Sequence, residues 1–220
     1  MDLSELEARR LRMVEEQLAD RDIRDARVLQ AFRDVPRHAF VPPGLAAQAY
    51  DDRALPIEAS QTISQPYVVA LMVEALVLHP RDRLLEVGTG SGYAAALCSR
   101  LCADVYTIER HAELADLAGA RIAELGYANV HVRIADGTLG WPEEAPFDAI
   151  LVSAGGPRVP ETLEAQLAPG GRLVIPVGER RGFQKLLRLT RTGAGRVERE
   201  DLGEVAFVPL VGAEGFGDRD

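Results

Sequence analysis

The sequence predicts an α/β protein: a doubly wound, mixed but mostly parallel sheet, with a helical extension before it and an antiparallel strand pair after it. Three observations carry that expectation. From Asp82 onward, short apolar runs alternate with segments of helical period, the pattern of a parallel sheet covered on both faces. A glycine-rich loop, Gly88-Thr89-Gly90-Ser91-Gly92, joins the first of those runs to the next helical segment. Near the end, β-rich stretches follow one another with turn residues between them, as antiparallel neighbours do.

The elements follow in chain order. Residues 4–34 read as two helices, "LEARRLRMVEEQL" and "DIRDARVLQAFRDV", with Asp22 placed to cap the second. Three prolines and a glycine in "PRHAFVPPGL" then break the helical pattern. "SQTISQP" (60–66) leads into the apolar "YVVALMVEALVLHP", where Pro66 suits a first helical turn and Ser64 a cap. "RLLEVG", "DVYTIE", "NVHVRIAD", "FDAILVSA" and "GRLVIPVG" are the strands. Between them lie the helices "YAAALCSRL", "HAELADLAGARIAELG" (closed by Gly126) and "PETLEAQLA". "KLLRLTR" and "EVAFVPLVG" are the antiparallel pair, with turn residues at 192–195. No linker interrupts the chain, so a single domain is expected. It comprises an extension (1–58), a core (59–178), the C-terminal strands (179–212) and a frayed tail (213–220).

Composition narrows the function. With 47% hydrophobic and 27% charged residues the chain is globular, and no apolar run reaches membrane-spanning length. The charged N-terminus lacks the apolar core of a secretory signal, so a cytoplasmic location and no membrane partner are expected. A net charge of −9 argues against nucleic acid as partner. One stretch departs from it: residues 179–200 hold seven basic residues against three acids, read as the solvated face of a hairpin or as a weak attraction for acidic peptide. The four histidines lack metal-ligand spacing, and no metal is expected. Cys98 and Cys102 read as core residues.

The chemistry starts at the glycine loop. A dinucleotide fingerprint would need glycine at position 93, where Tyr93 stands. Glu86, two residues before Gly88, would repel a pyrophosphate but suits a cofactor with positive charge. S-adenosylmethionine carries a sulfonium and an ammonium. Glu109 ends the second strand, where an acid accepts ribose hydroxyls, and Asp136 ends the third, positioned to meet an adenine edge. Three consecutive strands ending in acids beside such a loop predict a Rossmann-like, S-adenosylmethionine-dependent methyltransferase.

From about Arg10 to Gly212 the sequence resembles the protein-L-isoaspartate O-methyltransferases, which begin the repair of damaged aspartyl and asparaginyl residues. The selective pieces are "RHAFVP" (37–42), "QTISQPYVVALM" (61–72) and "ADGTLGWPEEAPFDAILVSAG" (135–155), with "FVPLVG" (207–212) near the end. The resemblance implies that Ser64 lies beside the transferring methyl and contacts the acceptor carboxylate. It implies that Glu86, Gly88, Gly90, Gly92, Glu109, Arg110, Asp136 and Gly137 hold the cofactor, and that Thr62, Ile63, Phe207, Val208 and Pro209 line the peptide groove. A monomer acting on isoaspartyl peptides and proteins is expected. One departure stands out: Ser60 and Glu58 occupy positions where the family usually has glycine, which restricts φ and stiffens the loop.

The chemistry is consistent with these residue types. A peptide carboxylate is ionised at neutral pH, so its methylation needs alignment and no general base. A neutral donor such as Ser64 orients the carboxylate without quenching it. No Ser-His-Asp arrangement is legible around Ser64, which excludes a nucleophilic role. Two alternatives remain: a methyltransferase acting on another carboxylate, such as a specific peptide aspartate or a small acid, and a cofactor-binding module without turnover.

Overall fold

The computed structural model describes residues 2–218. The N-terminal helix α1 (Leu3–Arg12) continues into a π-helical stretch, Met13–Ala19, and the two bury Leu6, Met13, Val14 and Leu18. Helix α2 (Ala26–Asp34) is capped by Asp25, whose carboxylate accepts the Arg27 amide at 2.8 Å, and not by Asp22. The reason is Ile23, buried to 1% exposure. The chain turns to bury it, and the Arg24 and Asp25 amides donate to the Glu74 carboxylate at 2.6 Å each, which delays the helix start.

Two 3₁₀ turns follow, Arg37–Phe40 and Pro43–Gln48, then a ladder of two-residue strands, β1 (Leu55–Pro56) and β2 (Thr62–Ile63). Helix α3 (Pro66–Ala75) begins with Pro66, which has no N–H to leave unsatisfied. Gln65 occupies the N-cap, and no side chain caps this end. Ser64, expected as a cap, therefore lies one residue outside the cap position.

The main sheet contains β3 (Arg83–Val87), β4 (Asp104–Glu109), β5 (Val130–Ile134), β6 (Phe147–Val152), β7 (Leu167–Gly178), β8 (Gln184–Arg191) and β9 (Val197–Val205). Their spatial order is β5-β4-β3-β6-β7-β8-β9, with β7–β8 and β8–β9 antiparallel and the other pairs parallel. Helices α4 (Tyr93–Ser99), α5 (Ala112–Glu124) and α6 (Glu161–Ala165) complete the connections. The chain moves outward from β3 through β4 to β5, then returns to the other side of β3 as β6 and β7. That reversal opens a crevice at the carboxyl end of β3. Leu6, Val14, Leu18 and Phe32 share one buried cluster with α3, α4 and the sheet residues Leu84, Val105 and Leu151. Cys98 and Cys102 are buried in that cluster too, and burial pushes the Cys102 thiol up to about 12.

The C-terminal third differs from expectation in two ways. Strand β9 starts at Val197 and carries the exposed charges Glu198, Arg199, Glu200 and Asp201, which suit an unpaired edge. Only the first two residues of "EVAFVPLVG" belong to it. Residues 206–212 leave the sheet and cross the strand ends, with Gly155 N–H donating to the Val208 carbonyl and Leu210 N–H to that of Gly155. Pro209 has no N–H and cannot extend a ladder on both sides. Second, the tail expected to fray is tied down through residue 218; residues 219 and 220 lie outside the described part. Ala213 N–H donates to Asp136, Glu214 accepts from Thr162, Phe216 N–H donates to the Leu210 carbonyl, and Arg110 pairs with Asp218 at 2.6 Å.

Three of the seven basic residues at 179–200 pair with acids and two more are bonded to main-chain carbonyls. Lys185 pairs with Asp201 at 3.0 Å, Arg188 with Glu200 and Arg199 with Glu164. Arg191 donates to the Leu167 carbonyl at 2.7 Å and Arg180 to that of Gly217.

Candidate active site

A cleft of ≈ 300 Å³ opens at the carboxyl ends of β3, β4 and β6. Its floor is the glycine loop. Gly88, Gly90 and Gly92 all adopt positive φ (93°, 52° and 88°), a conformation that side-chain-bearing residues take only under strain. Gly92 stands at the N-cap of α4, where a Cβ would press on Ile122. Gly88 N–H donates to the Ile108 carbonyl at 2.8 Å and Gly90 N–H to Glu109 Oε2 at 2.9 Å. With both amides engaged inside the protein, neither glycine has an N–H left to offer an anion.

Two carboxylates flank the loop. Glu109, 5% exposed, accepts from the Gly90 amide and, at 3.0 Å, from that of His111. Two carboxylate lone pairs remain, enough for a vicinal diol. Glu86 is fully buried. Its Oε2 accepts from Thr107 Oγ1 at 2.6 Å, and Thr107 in turn lies 2.7 Å from Thr89 Oγ1. Its Oε1 has no partner among the described residues. Burial, reinforced by the charge of Glu109 and opposed by the Thr107 bond, pushes the Glu86 carboxyl up to about 8. A buried acid oxygen with nothing to accept from suits a cationic group, whose approach would favour the ionised carboxylate, better than a phosphate at that spot.

The opposite wall is the β2 segment. Thr62, Ile63 and Ser64 face the cleft with Phe207, Val208 and Pro209, and Arg110 and Gly137 also line it. The Ser64 hydroxyl makes no hydrogen bond among the described residues, while its main-chain carbonyl accepts from Arg37 at 2.8 Å. Of the two positions that depart from glycine, Ser60 adopts a φ of 56°, as its neighbour Ala59 does at 51°, while Glu58 does not. The loop keeps a glycine-like backbone without glycine.

Asp136 lies apart. It borders a neighbouring hollow with Arg110, Ala213 and Phe216, and caps the short turn Gly137–Leu139. Its Oδ1 accepts from the Thr138 amide and hydroxyl at 2.9 and 2.7 Å, and its Oδ2 from the Ala213 amide at 2.7 Å. Burial raises its pKa, but the bonds from Thr138 and Ala213 outweigh that and leave it below the usual carboxylate value. Gly137 must be small, since a Cβ there would collide with Val87. Of the residues singled out in the sequence, twelve line the cleft, while Gly92 supports the loop from behind and Asp136 faces the adjoining hollow. The sequence reading missed Thr107, Ser153, Tyr93 and Arg180. Only Thr107 left a trace, as a polar residue inside the otherwise apolar strand "VYTIE".

Fold and cleft together define the class: an S-adenosylmethionine-dependent methyltransferase, with its ligand at the switch point of an open α/β sheet. Residues 8–215 match the model of the protein-L-isoaspartate(D-aspartate) O-methyltransferase family. The chain belongs to that family. It is 58% identical over 204 residues to a protein-L-isoaspartate O-methyltransferase of Rhodopseudomonas palustris, covering 93% of this chain and 94% of the relative. It is 61% identical over 209 residues to one of Methylorubrum extorquens (95% and 91% covered). Among solved structures, a protein-L-isoaspartate O-methyltransferase superposes with TM-score 0.83 at 29% identity, covering 93% of this chain and 67% of that one. A second, from Plasmodium falciparum in complex with S-adenosyl-L-homocysteine, superposes with TM-score 0.78 at 28% identity (92% and 98% covered).

Proposed function

We propose that the cleft directs a methyl group from S-adenosylmethionine to the free α-carboxyl of L-isoaspartyl residues in damaged peptides and proteins. The observation that carries this reading is the Ser64 hydroxyl. It has no hydrogen-bond partner among the described residues, and it lines the same cleft as the glycine loop and the unpartnered Glu86 oxygen.

When bound, S-adenosylmethionine supplies an electrophilic methyl on a positively charged sulfur. Glu109 holds the ribose hydroxyls, and the carbonyls of Gly88 and Gly90 with Glu86 meet the cationic methionine end. Asp136 and Gly137, with Arg110, bound the adenine side. Thr62, Ile63, Phe207, Val208 and Pro209 form the groove for the peptide. Ser64 donates one neutral hydrogen bond to the acceptor carboxylate. Such a donor fixes direction and leaves the charge on the attacking oxygen, where a cation would stabilise the ground state and slow the reaction. The methyl ester so formed has a better leaving group than the free acid. The neighbouring backbone nitrogen then closes a succinimide and releases methanol, and water opens the ring partly to normal aspartate.

We place the enzyme in the cytoplasm as a monomer with no membrane or nucleic-acid partner. In support, no helix among the described residues is long and apolar enough to cross a membrane, and the net charge is −9. The test is methyl transfer from labelled S-adenosylmethionine to matched isoaspartyl and aspartyl peptides. Labelling of the isoaspartyl peptide alone is the expected result; equal labelling of both, or none, overturns the assignment.

A further inference from the structure

Arg172 and Arg37 both reach into the interior, and they are anchored differently. Arg172 pairs with Asp82 at 2.7 Å and donates to the Leu76 and Val77 carbonyls at 2.6 and 2.7 Å. Arg37, with no exposed surface at all, meets no carboxylate among the described residues. Its Nε donates to the Ala49 carbonyl and its Nη2 to the Ser64 carbonyl, both at 2.8 Å, while Nη1 has no partner. The guanidinium lies 5.0 Å from the centre of the Tyr93 ring. Tyr93 is itself buried, and its hydroxyl also lacks a partner.

A buried guanidinium without an anion is costly, and an apolar side chain of similar length often serves stability as well or better. Burial draws the Arg37 pKa down only to about 10, so it stays charged at neutral pH. What its donors hold therefore matters more than what they stabilise. They join the two ends of the segment that carries the β1–β2 ladder, Ala49 at one end and Ser64 at the other. Among the described residues, Arg37 is the one side chain that bonds to Ser64 itself; its neighbours Ile63 and Gln65 are held separately. Strand β2 is two residues long, the helix cap is Gln65, and the serine side chain makes no bond within the described protein. Gln65 is itself held, by bonds from its Nε2 to the Asp52 side chain and carbonyl at 2.8 and 3.2 Å.

We propose that Arg37 is a positioning residue for methyl transfer: by gripping the main-chain carbonyl of Ser64 it aims the serine hydroxyl at the acceptor carboxylate. The proposal rests on the reading of Ser64 as the orienting donor. Arg37 touches neither substrate nor cofactor and works through one peptide unit.

The test is a double-mutant cycle with Arg37→Met and Ser64→Ala, read as kcat, peptide KM, cofactor affinity and melting temperature. Arg37→Met should lower kcat by about 10- to 100-fold, the scale of a small misplacement of a reacting group. Cofactor affinity should change less than about threefold, and the melting temperature should fall by no more than the loss of the Ala49 and Ser64 carbonyl bonds implies. In the Ser64→Ala background the same substitution should cost nothing further, because the group it aims is gone. Arg37→Lys, which keeps the charge and one donor, should recover part of kcat, and it serves alone if the Met variant does not fold. Unchanged kcat in Arg37→Met, or an equal loss in both backgrounds, overturns the proposal. Failure of the serine reading looks different: Ser64→Ala alone would then retain full kcat.

Discussion

The two sides of the cleft are built on different principles. The side proposed above for the cofactor is made of backbone: three glycines at positive φ, amides closed onto the Ile108 carbonyl and Glu109, and carboxylates carried on adjacent strand ends. Its parts are contiguous in sequence or set by strand register. The acceptor side is a short irregular segment held by side chains from elsewhere, Arg37 from 27 residues away and Asp52 from 13 residues before Gln65. The first is rigid by local geometry, the second by long-range tethering. Affinity for cofactor should therefore follow the glycine-loop side, and turnover the tethered side.

The largest expected effect breaks the tethered side. Ser64→Ala should reduce kcat on the order of 10²-fold, the scale of losing one oriented donor, with cofactor affinity nearly unchanged in calorimetry. A large loss of cofactor binding there would place the serine on the wrong side. Glu109→Ala should do the reverse. It removes charge-assisted bonds of about 1.5–3 kcal/mol each, along with the anchor of the Gly90 amide. A titration showing unchanged affinity would misplace the ribose.

A third substitution sharpens the comparison through pH. In the folded protein the Glu86 carboxyl is raised to about 8 from an ordinary 4.5. The folded state thus favours the protonated form. That contribution to stability is complete below the unfolded value and is lost as pH rises through about 8. The melting temperature of the ligand-free protein should fall between pH 5 and 8, and Glu86→Gln should flatten the fall. An identical slope in the variant would mean that other groups carry it. The smallest effect concerns the loop between the two sides. Ser60→Gly should stabilise the protein by less than about 1 kcal/mol, since relief of the left-handed backbone is offset by a more flexible unfolded chain. Clear destabilisation in a denaturant melt would show that the serine side chain has a partner of its own.

The same contrast explains what the sequence revealed. The strand alternation and the glycine loop are local patterns, and Glu109 follows from strand length, so this part of the cleft lining could be read from the string, though Asp136 lies in the adjoining hollow. From the residues alone Ser64 read as a helix cap; its role at the site came only through resemblance, and its tether was invisible. A buried arginine in "PRHAFVP" gives no periodic signal, and nothing in the string links it to a carbonyl 27 residues on. The cap at Asp25, the early start of β9 and the tied-down tail failed for a related reason. Each was decided by a tertiary demand: burial of Ile23, charges at a sheet edge, or bonds to Asp136 and Thr162.

Those bonds to Asp136 have one more consequence. Asp136-Gly137 is the one aspartyl-glycyl dipeptide in the chain. Of the aspartyl sites in the chain it is the one most open to spontaneous ring closure, because glycine leaves the attacking nitrogen unshielded. Here three donors from Thr138 and Ala213 pin the carboxylate. The chain thus carries, in the hollow beside its cleft, the kind of site whose ageing its family corrects, and the bonds that pin it should slow that ageing. Peptide mapping after prolonged warm storage should find it intact in the native protein and isomerised in denatured material.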